Sequence, residues 1–388
     1  MRRFLAALAV AGLLFPAVAR AAPQESRLAS VIVRYVDGVD GSARDLLRAA
    51  SGAALTGSID ELDLERIEVP SHRIGALRAS PLVAAVERDR ELHIMGKPND
   101  PLLRLQWPLR KLDAFEAWKY EKPRSRVLVG VIDTGLDQSH ADLKKRFVDG
   151  FDLLEIDDDP YDDHGHGTHV SGIIAANVSN RTGIAGLSRG ADIVPMKACT
   201  ADGACPVFET YGAIVDAIRR GASVINMSLG GAGPCSFIDQ TVYDYARDRG
   251  TLVVVSAGNS AQDKNPVITP ASCNFTLGVG AVDQRNKRAP FSSYGDFVDI
   301  AAPGVDVWST LPPLVSLHTQ HIGYGPASGT SMAAPFVAAA AASLKGLHPE
   351  WTPEQIERRL LSTTVDLGKK GRDPFFGEGM LNLHAALR

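Results

Sequence analysis

Short apolar runs that alternate with helical patterns constrain the fold of this 388-residue chain most strongly. Five such runs occupy residues 127–132, 193–197, 224–227, 252–255 and 277–280. Helical patterns lie between them at residues 166–176, 208–220 and 238–249. Runs that are apolar throughout are typical of strands buried on both faces of a parallel sheet. Their alternation with helices predicts a three-layer α/β fold.

Three polar residues stand at informative places in this pattern. Asp133 directly follows the first apolar run, whereas His166 and Ser331 begin helical patterns. In open parallel sheets, functional groups collect beyond the carboxyl ends of the strands. Helix starts add unpaired N–H groups and a partial positive charge. A serine hydroxyl attacks nothing unaided, but an imidazole can take its proton and a carboxylate can hold that imidazole in the required tautomer. The sequence therefore predicts a serine nucleophile, Ser331.

The order Asp, His, Ser and the residues around each group resemble the subtilase, or subtilisin-like, family of serine peptidases. The resemblance is carried by the following motifs: Val131-Ile132-Asp133-Thr134-Gly135, His166-Gly167-Thr168-His169-Val170 and Gly329-Thr330-Ser331-Met332-Ala333-Ala334-Pro335. It covers nearly the whole chain after the first twenty or so residues. It implies a subtilisin-like fold with a mostly parallel sheet and an endopeptidase that works through an acyl-enzyme, without a cofactor for the chemistry.

The same resemblance implies roles for two further segments. In the family, the residue matching Asn259 joins the N–H of the nucleophile as an oxyanion hole. The segment Ser228-Leu229-Gly230 resembles the one that pairs with the substrate main chain. Ser256, Ala257 and Gly258 correspond to the opposite wall of the pocket for the side chain before the cut. Ser260 is uncharged, which disfavours a requirement for a basic substrate residue before the cut. We therefore expect broad specificity with a preference for apolar or aromatic side chains before the cut.

The N-terminus has the pattern of a secretory signal peptide. Arg2 and Arg3 precede an apolar run over residues 4–15, and small residues end at Ala21. This predicts a signal peptide over residues 1–21 and a secreted or periplasmic protein with no membrane association after cleavage. The alternative is a membrane anchor, but the apolar run is shorter than the ~20 residues that a spanning helix needs.

Residues 22–96 have the pattern of a small α+β domain. Strand patterns at 31–36, 62–69 and 83–88 alternate with helical patterns at 42–50 and 71–79. We expect a ferredoxin-like unit, and the family resemblance implies an inhibitory propeptide whose tail, residues 90–95, enters the active site. The alternative is a binding domain that the mature protein retains. The catalytic domain is predicted over residues 97–388, with protein or peptide substrates and a monomeric state.

Composition and cysteine positions bear on the binding partners and on the redox compartment of the protein. The net charge of −4 and the absence of a basic stripe give no indication of a nucleic-acid partner. Four cysteines allow three pairings, and an exported chain favours disulfides over the alternative of reduced, buried thiols. Cys199 and Cys205 bracket a short loop, while the loops holding Cys235 and Cys273 are tied in some extracellular bacterial members of the family. We therefore expect the pairs Cys199–Cys205 and Cys235–Cys273.

A structural calcium ion is implied by the resemblance. Asp142 matches a calcium-binding carboxylate of the family, and residues 177–184, with Asn180, resemble the loop that wraps the ion. A second acidic group, comprising residues 157–159 with Asp162 and Asp163, is interpreted as a solvated loop, with a further cation site as the alternative.

Three other function classes share some of these residues. Asp133-Thr134-Gly135 is also the tripeptide of aspartic proteases, but those need two carboxylates and the tripeptide occurs once. The histidines at 164, 166 and 169 resemble a zinc cluster, although Thr168 replaces an expected aspartate and further ligands are not evident. A non-catalytic peptide-binding module is disfavoured because all four catalytic positions hold competent residues.

Overall fold

The computed structural model describes residues 28–89, 98–121, 126–317 and 319–388. They fall into two compact units, one holding residues 28–89 and the other holding the described residues from 98 onwards. The predicted signal peptide, the tail at 90–95 and the predicted boundaries at 21 and 96 lie outside the described residues, so these assignments stay predictions. Within the described residues, no helix is long and apolar enough to cross a membrane.

The first unit is a four-stranded antiparallel sheet with two helices. Its elements are β1 (Leu28–Tyr35), α1 (Gly41–Ser51), β2 (Ala54–Ile59), β3 (Leu64–Pro70), α2 (Ile74–Arg78) and β4 (Val83–Arg88). The strand order is β2-β3-β1-β4, the arrangement of a ferredoxin-like domain. Alternate residues of β1 and β3, among them Val31, Val33 and Ile67, are fully buried in its core. The fold expected for this unit is confirmed, although the sequence pattern missed β2.

The second unit is built on a seven-stranded sheet whose strand pairs are all parallel, in the order β13-β12-β10-β8-β5-β7-β6. Its strands are β5 (Val127–Asp133), β6 (Phe151–Asp152), β7 (Ala191–Lys197), β8 (Val224–Met227), β9 (Gly231–Ala232), β10 (Leu252–Ser256), β11 (Ile268–Thr269), β12 (Thr276–Val282), β13 (Ile300–Pro303), β14 (Val307–Thr310) and β15 (Tyr324–Ala327). Its helices are α3 (Trp107–Lys111), α4 (Ala114–Ala117), α5 (His166–Ala175), α6 (Val207–Arg219), α7 (Phe237–Asp248), α8 (Thr330–Leu347), α9 (Pro353–Ser362) and α10 (Leu383–Leu387).

Each face of this sheet is covered by helices, so the predicted three-layer fold is confirmed. On β10, Val254 packs in the core that contains α5 and α8, whereas Val253 and Val255 pack in the core that contains α6 and α7. Small side chains let α8 lie against several strands at once, since its residues from Ala338 to Ala342 are at most 1% exposed. The helix that begins one residue before the predicted nucleophile is therefore buried along most of its length.

Both expected disulfides are present. Cys199 pairs with Cys205 across a sequence separation of 6, and Cys235 pairs with Cys273 across a separation of 38. Cys235 lies between β9 and α7 and Cys273 lies between β11 and β12, so the second bond joins two loops. A crosslink that closes a longer loop removes more conformational entropy from the unfolded chain.

The two disulfides should therefore contribute unequally to stability. We expect the double substitution of Cys235 and Cys273 by serine to lower the free energy of unfolding by about 4 kcal/mol, against about 2 kcal/mol for the pair Cys199 and Cys205. Chemical unfolding in the Ser331→Ala background, which removes the predicted nucleophile, measures both. A larger loss from the short loop would contradict the loop-length argument.

Candidate active site

Asp133 and His166 meet at the carboxyl end of the central sheet. Asp133 is the last residue of β5 and is 2% exposed, and His166 is the first residue of α5. His166 Nδ1 lies 2.7 Å from Asp133 Oδ1, which also accepts a hydrogen bond from the N–H of Thr134 at 2.8 Å. With Nδ1 committed to the carboxylate, the ring nitrogen Nε2 is left as the proton acceptor.

The surroundings of His166 favour its protonated form. Burial lowers the pKa of the imidazole, but the negative charge of Asp133 and its hydrogen bond, followed by the charge of Asp162, together raise that pKa above its ordinary value. A neighbouring histidine behaves oppositely, because full burial and the charge of His166 lower the pKa of His169 to about 4. The site thus separates an imidazole that can hold a proton from one that stays neutral.

Two hydrogen bonds join Ser331 to Ser228, a residue that lines the same cleft as His166. Ser331 Oγ donates to the carbonyl oxygen of Ser228 at 3.0 Å, and Ser228 Oγ donates to the carbonyl oxygen of Ser331 at 2.7 Å. Ser228 and His166 line one cleft of about 550 Å³. Among the described residues, no hydrogen bond joins Ser331 to His166. Such bonds are often long without substrate and shorten in the reactive complex.

Two hydrogen-bond donors flank Gly329, directly before the helix of Ser331. A β-carbon built on Gly329 would lie 3.5 Å from Asn259 Nδ2 and 3.6 Å from the backbone nitrogen of Ser331. Thr330 fixes the amide of Asn259, because its N–H and its hydroxyl donate to Asn259 Oδ1 at 2.9 and 3.0 Å. The amide N–H₂ group therefore turns towards the same space as the N–H of Ser331. This arrangement can bind an oxyanion.

The two predicted substrate-binding segments lie next to each other. Ser228, Leu229 and Gly230 line the cleft. Ser256, Ala257 and Gly258 lie behind them, and the hydroxyl of Ser256 donates to the carbonyl oxygen of Leu229 at 3.4 Å. Ser256 and Ala257 are buried, and neither they nor Gly258 belongs to the lining of this cleft.

Asp162 is a residue whose importance sequence reasoning missed. Its interpretation as part of a solvated loop is wrong, since Asp162 is fully buried and accepts hydrogen bonds from both Thr134 and Thr168. One signal could have found it: an aspartate four residues before the helix start at His166 can cap the unpaired N–H groups of that helix.

The predicted calcium residues lie at a separate cluster. Burial raises the pKa of Asp142 to about 6, and the charge of Asp100 adds to this against hydrogen bonds that oppose it. A cation would relieve this crowding of negative charge, so Asp142 fits a metal ligand. Asn180 directs its amide nitrogen at Asp142 Oδ1 (2.6 Å), while its amide oxygen accepts from the N–H of Thr182. A ligand role for that oxygen would require the amide to rotate, and both calcium assignments stay predictions.

The histidines at 164, 166 and 169 do not converge on one point. His166 is held by Asp133, and His169 Nε2 lies 3.2 Å from the carbonyl oxygen of Gly325. Among the described residues, three potential ligands meet only at Cys235, Asp239 and Cys273, and both cysteines are in a disulfide. The arrangement of side chains therefore supports the serine site over the zinc alternative.

Comparisons with known proteins agree with this geometry. The profile of the subtilase family, peptidase family S8, matches residues 124–379. A thermophilic serine proteinase of Bacillus sp. strain AK1 is 38% identical over 272 residues, 70% of this chain and 65% of that protein. An alkaline protease of Alkalihalobacillus alcalophilus is 35% identical over 83% of this chain and 78% of its own. A solved protease structure from Pseudoalteromonas arctica PAMC 21717 has a TM-score of 0.66 and 32% identity, covering 75% of this chain and 99% of that one.

Proposed function

The chain belongs to the subtilase family of serine peptidases. From this premise we propose that it is a secreted endopeptidase that processes itself from a longer precursor and hydrolyses proteins with broad specificity. The observation that carries the proposal is the 2.7 Å contact between His166 Nδ1 and the buried carboxylate of Asp133, at the cleft lined by Ser228, to which Ser331 is hydrogen-bonded. Protein and peptide chains are the proposed substrates, and the proposed chemistry uses groups of this chain together with water.

In this proposal Ser331 Oγ attacks the scissile carbonyl carbon while His166 Nε2 takes its proton. Asp133 holds the ring in the tautomer that leaves Nε2 free, and it stabilises the imidazolium that forms. His166 then passes the proton to the leaving amine, and water hydrolyses the acyl-enzyme by the reverse sequence. For attack to begin, the hydroxyl of Ser331 must exchange its bond to the carbonyl of Ser228 for one to His166.

Two hydrogen-bond donors are proposed to stabilise the negative charge that develops on the substrate oxygen. They are the N–H of Ser331 and the Nδ2 group of Asn259, which the rigid contact with Thr330 orients before substrate arrives. Donors that are fixed in advance need no reorganisation as charge develops, so they stabilise the transition state more than the ground state.

The lining of the cleft supports a preference for apolar or aromatic side chains. Met227, Leu229 and Tyr243 contribute to it. Apart from the catalytic carboxylate, the acid in this described lining is Asp239, and the hydroxyl of Tyr211 donates to it. The other oxygen of Asp239 accepts from the N–H of Ser236, so both oxygens of this acid are already bonded within the protein.

Export and self-processing rest on the N-terminal pattern and on the first unit. Two disulfides agree with an oxidising compartment. A small antiparallel unit, ahead of a domain whose parallel sheet pairs strands as distant in sequence as β5 and β8, suits an inhibitory and folding-assisting propeptide. We propose that residues 22–96 serve this role.

Replacing the nucleophile tests the function directly. Ser331→Ala is expected to remain at precursor length and to lose peptide hydrolysis, while the wild-type chain is processed and loses activity when treated with a serine-directed acylating inhibitor. Mass spectrometry of the secreted chain and cleavage of an unstructured protein measure the two effects. Brief chelation is expected to leave most activity in place.

The neighbouring serine Ser260 supplies the matched control. Ser260→Ala changes a hydroxyl that the site does not use, so processing and hydrolysis should continue. Normal processing of the Ser331→Ala chain would remove the nucleophile assignment, and rapid loss on chelation with recovery by zinc would favour a metal hydrolase instead.

Removing the side-chain oxyanion donor should lower kcat and leave KM little changed. For Asn259→Ala we expect about a 10²- to 10³-fold loss in kcat, the size seen when this donor is removed from subtilisin. Steady-state kinetics, referred to active sites counted with the acylating inhibitor, gives both constants. A loss confined to KM would mean that Asn259 binds the ground state.

Calcium is proposed to stabilise the fold at Asp142. Because the pKa of this acid is raised to about 6 from 3.8, its ionisation costs folding free energy as pH rises between these values, and a bound cation would offset that cost. Calcium at 100 times its dissociation constant should add about 2.7 kcal/mol, most fully above pH 6. Thermal unfolding of wild type and Asp142→Asn, with calcium and with chelator, measures this. Asp152→Asn, another buried acid, is the control, and an equal calcium response in Asp142→Asn would refute the site.

A further inference from the structure

Asp162 is a buried carboxylate that the proposed chemistry leaves without a role. It is fully buried, and five donors converge on its two oxygens. Oδ1 accepts from the hydroxyl of Thr134 at 2.8 Å and from the N–H groups of His164 and Gly165 at 3.1 and 2.7 Å. Oδ2 accepts from the N–H and the hydroxyl of Thr168 at 2.8 and 2.6 Å.

These donors belong to both of the segments that carry the catalytic acid and base. Thr134 follows Asp133 directly, and its hydroxyl also accepts from the N–H of Gly167 at 2.9 Å. Gly167 and Thr168 follow His166 in the first turn of α5. A single carboxylate therefore bonds to the residue after the acid and to the residues on either side of the base. Movement of either segment relative to the other would break several of these bonds together.

The charge of Asp162 also acts at the imidazole. Burial opposes ionisation, but the hydrogen bonds from Thr168, Gly165 and Thr134 lower the pKa of Asp162 below its ordinary value, so it carries its charge during catalysis. The start of α5 stabilises this anion through its unpaired N–H groups. The charge of Asp162 is in turn one of the influences that raise the pKa of His166.

We propose that Asp162 is a positioning residue of the active site: its carboxylate fixes the Asp133 segment against the start of the His166 helix and keeps a second negative charge beside the imidazole. The inference rests on the proposed function, because it assumes that His166 is the base. It assigns two separable effects to one side chain, namely the geometry of the pair and the proton affinity of the ring.

Other charged or titratable groups lie near the ring of His166. Asp133 bonds to it from the end of β5, the ring of His164 lies 6.2 Å away, and His169 lies on the same helix. Lys197, at the end of β7, bonds to the carbonyl of Thr134 and pairs with Asp163 at 2.7 Å. Asp163 is thus an adjacent carboxylate whose charge is already offset by a lysine.

The Asp162→Asn variant tests the proposal through its pH profile. The amide keeps the size of the side chain but removes the charge and places N–H₂ against N–H donors. We expect kcat/KM at the optimum to fall about 10- to 100-fold, as displaced catalytic groups do, with KM nearly unchanged. We also expect the acid limb of kcat/KM to move to lower pH, because His166 then binds its proton less tightly. The ratio of variant to wild-type activity should therefore rise as pH falls.

Asp158→Asn is the matched control, because it removes an exposed carboxylate of the same loop with no described bond to either catalytic segment; its acid limb should stay where it is. The hydroxyl of Thr134, which bonds to both Asp162 and the N–H of Gly167, gives a second comparison. Thr134→Val, which removes the hydroxyl, should lose far more activity than Thr134→Ser, which keeps it. Equal losses in both Thr134 variants, or a loss in Asp162→Asn that is the same at every pH, would overturn the proposal.

Measuring the pKa of the His166 ring directly tests the proposal without an activity assay. In the full-length Ser331→Ala chain, NMR titration of His166 should give a lower pKa when Asp162→Asn is added, and an unchanged pKa would overturn the proposal even if Asp162→Asn were too inactive for kinetics. These experiments also distinguish a failure of the role of Asp162 from a failure of the proposed function. Active Ser331→Ala would refute that function, whereas inactive Ser331→Ala beside a wild-type-like Asp162→Asn would refute only the role of Asp162.

Discussion

The hydrogen bond between Asp133 and His166 is the interaction on which the rest of the site depends. It joins the end of a central strand to the beginning of a helix that is 33 positions further along the chain. A carboxylate that is 2% exposed is costly to bury unless it is hydrogen-bonded. The fold meets this condition by placing Asp133 where the N–H of Thr134 and the imidazole both reach it. The sheet therefore serves the chemistry by fixing where β5 ends.

The sequence predicted most of this framework because its strongest signals are structural necessities. Strands covered on both faces must be apolar at every position, so the runs at 127–132 and 252–255 mark β5 and β10 to within one residue. The catalytic side chains could be named for a different reason, because the residues around them resemble the motifs of the subtilase family; the chemistry needs a base and an orienting acid but no particular chain order. The roles of these side chains remain predictions, but the geometry brings Asp133, His166, Ser331 and Asn259 to one cleft or its edge.

Elements whose stability comes from their neighbours left no such signal. Strand β2 lacks a buried face of its own and contains Gly57, and β15 contains Gly325 and Pro326, so local preference argues against both strands. They exist because β3 and β14 supply hydrogen-bond partners. The environment of Asp162 was hidden in the same way. An aspartate among five acids within seven residues has the composition of a solvated loop, and only the folded chain brings five donors to it.

The two buried acids of the site differ in the hydrogen bonds that the described residues give them, and this difference matches the two roles proposed for them. Every oxygen of Asp162 accepts at least two hydrogen bonds, so its charge is well stabilised and the side chain holds its neighbours in place. Asp133 has both of its described bonds on Oδ1, and its buried Oδ2 has no partner among the described residues. The charge that His166 acquires during the reaction lies against Asp133 Oδ1, so Asp133 is placed to stabilise the imidazolium in the proposed mechanism. Asp162, with donors from both segments on its two oxygens, is placed to keep those segments together.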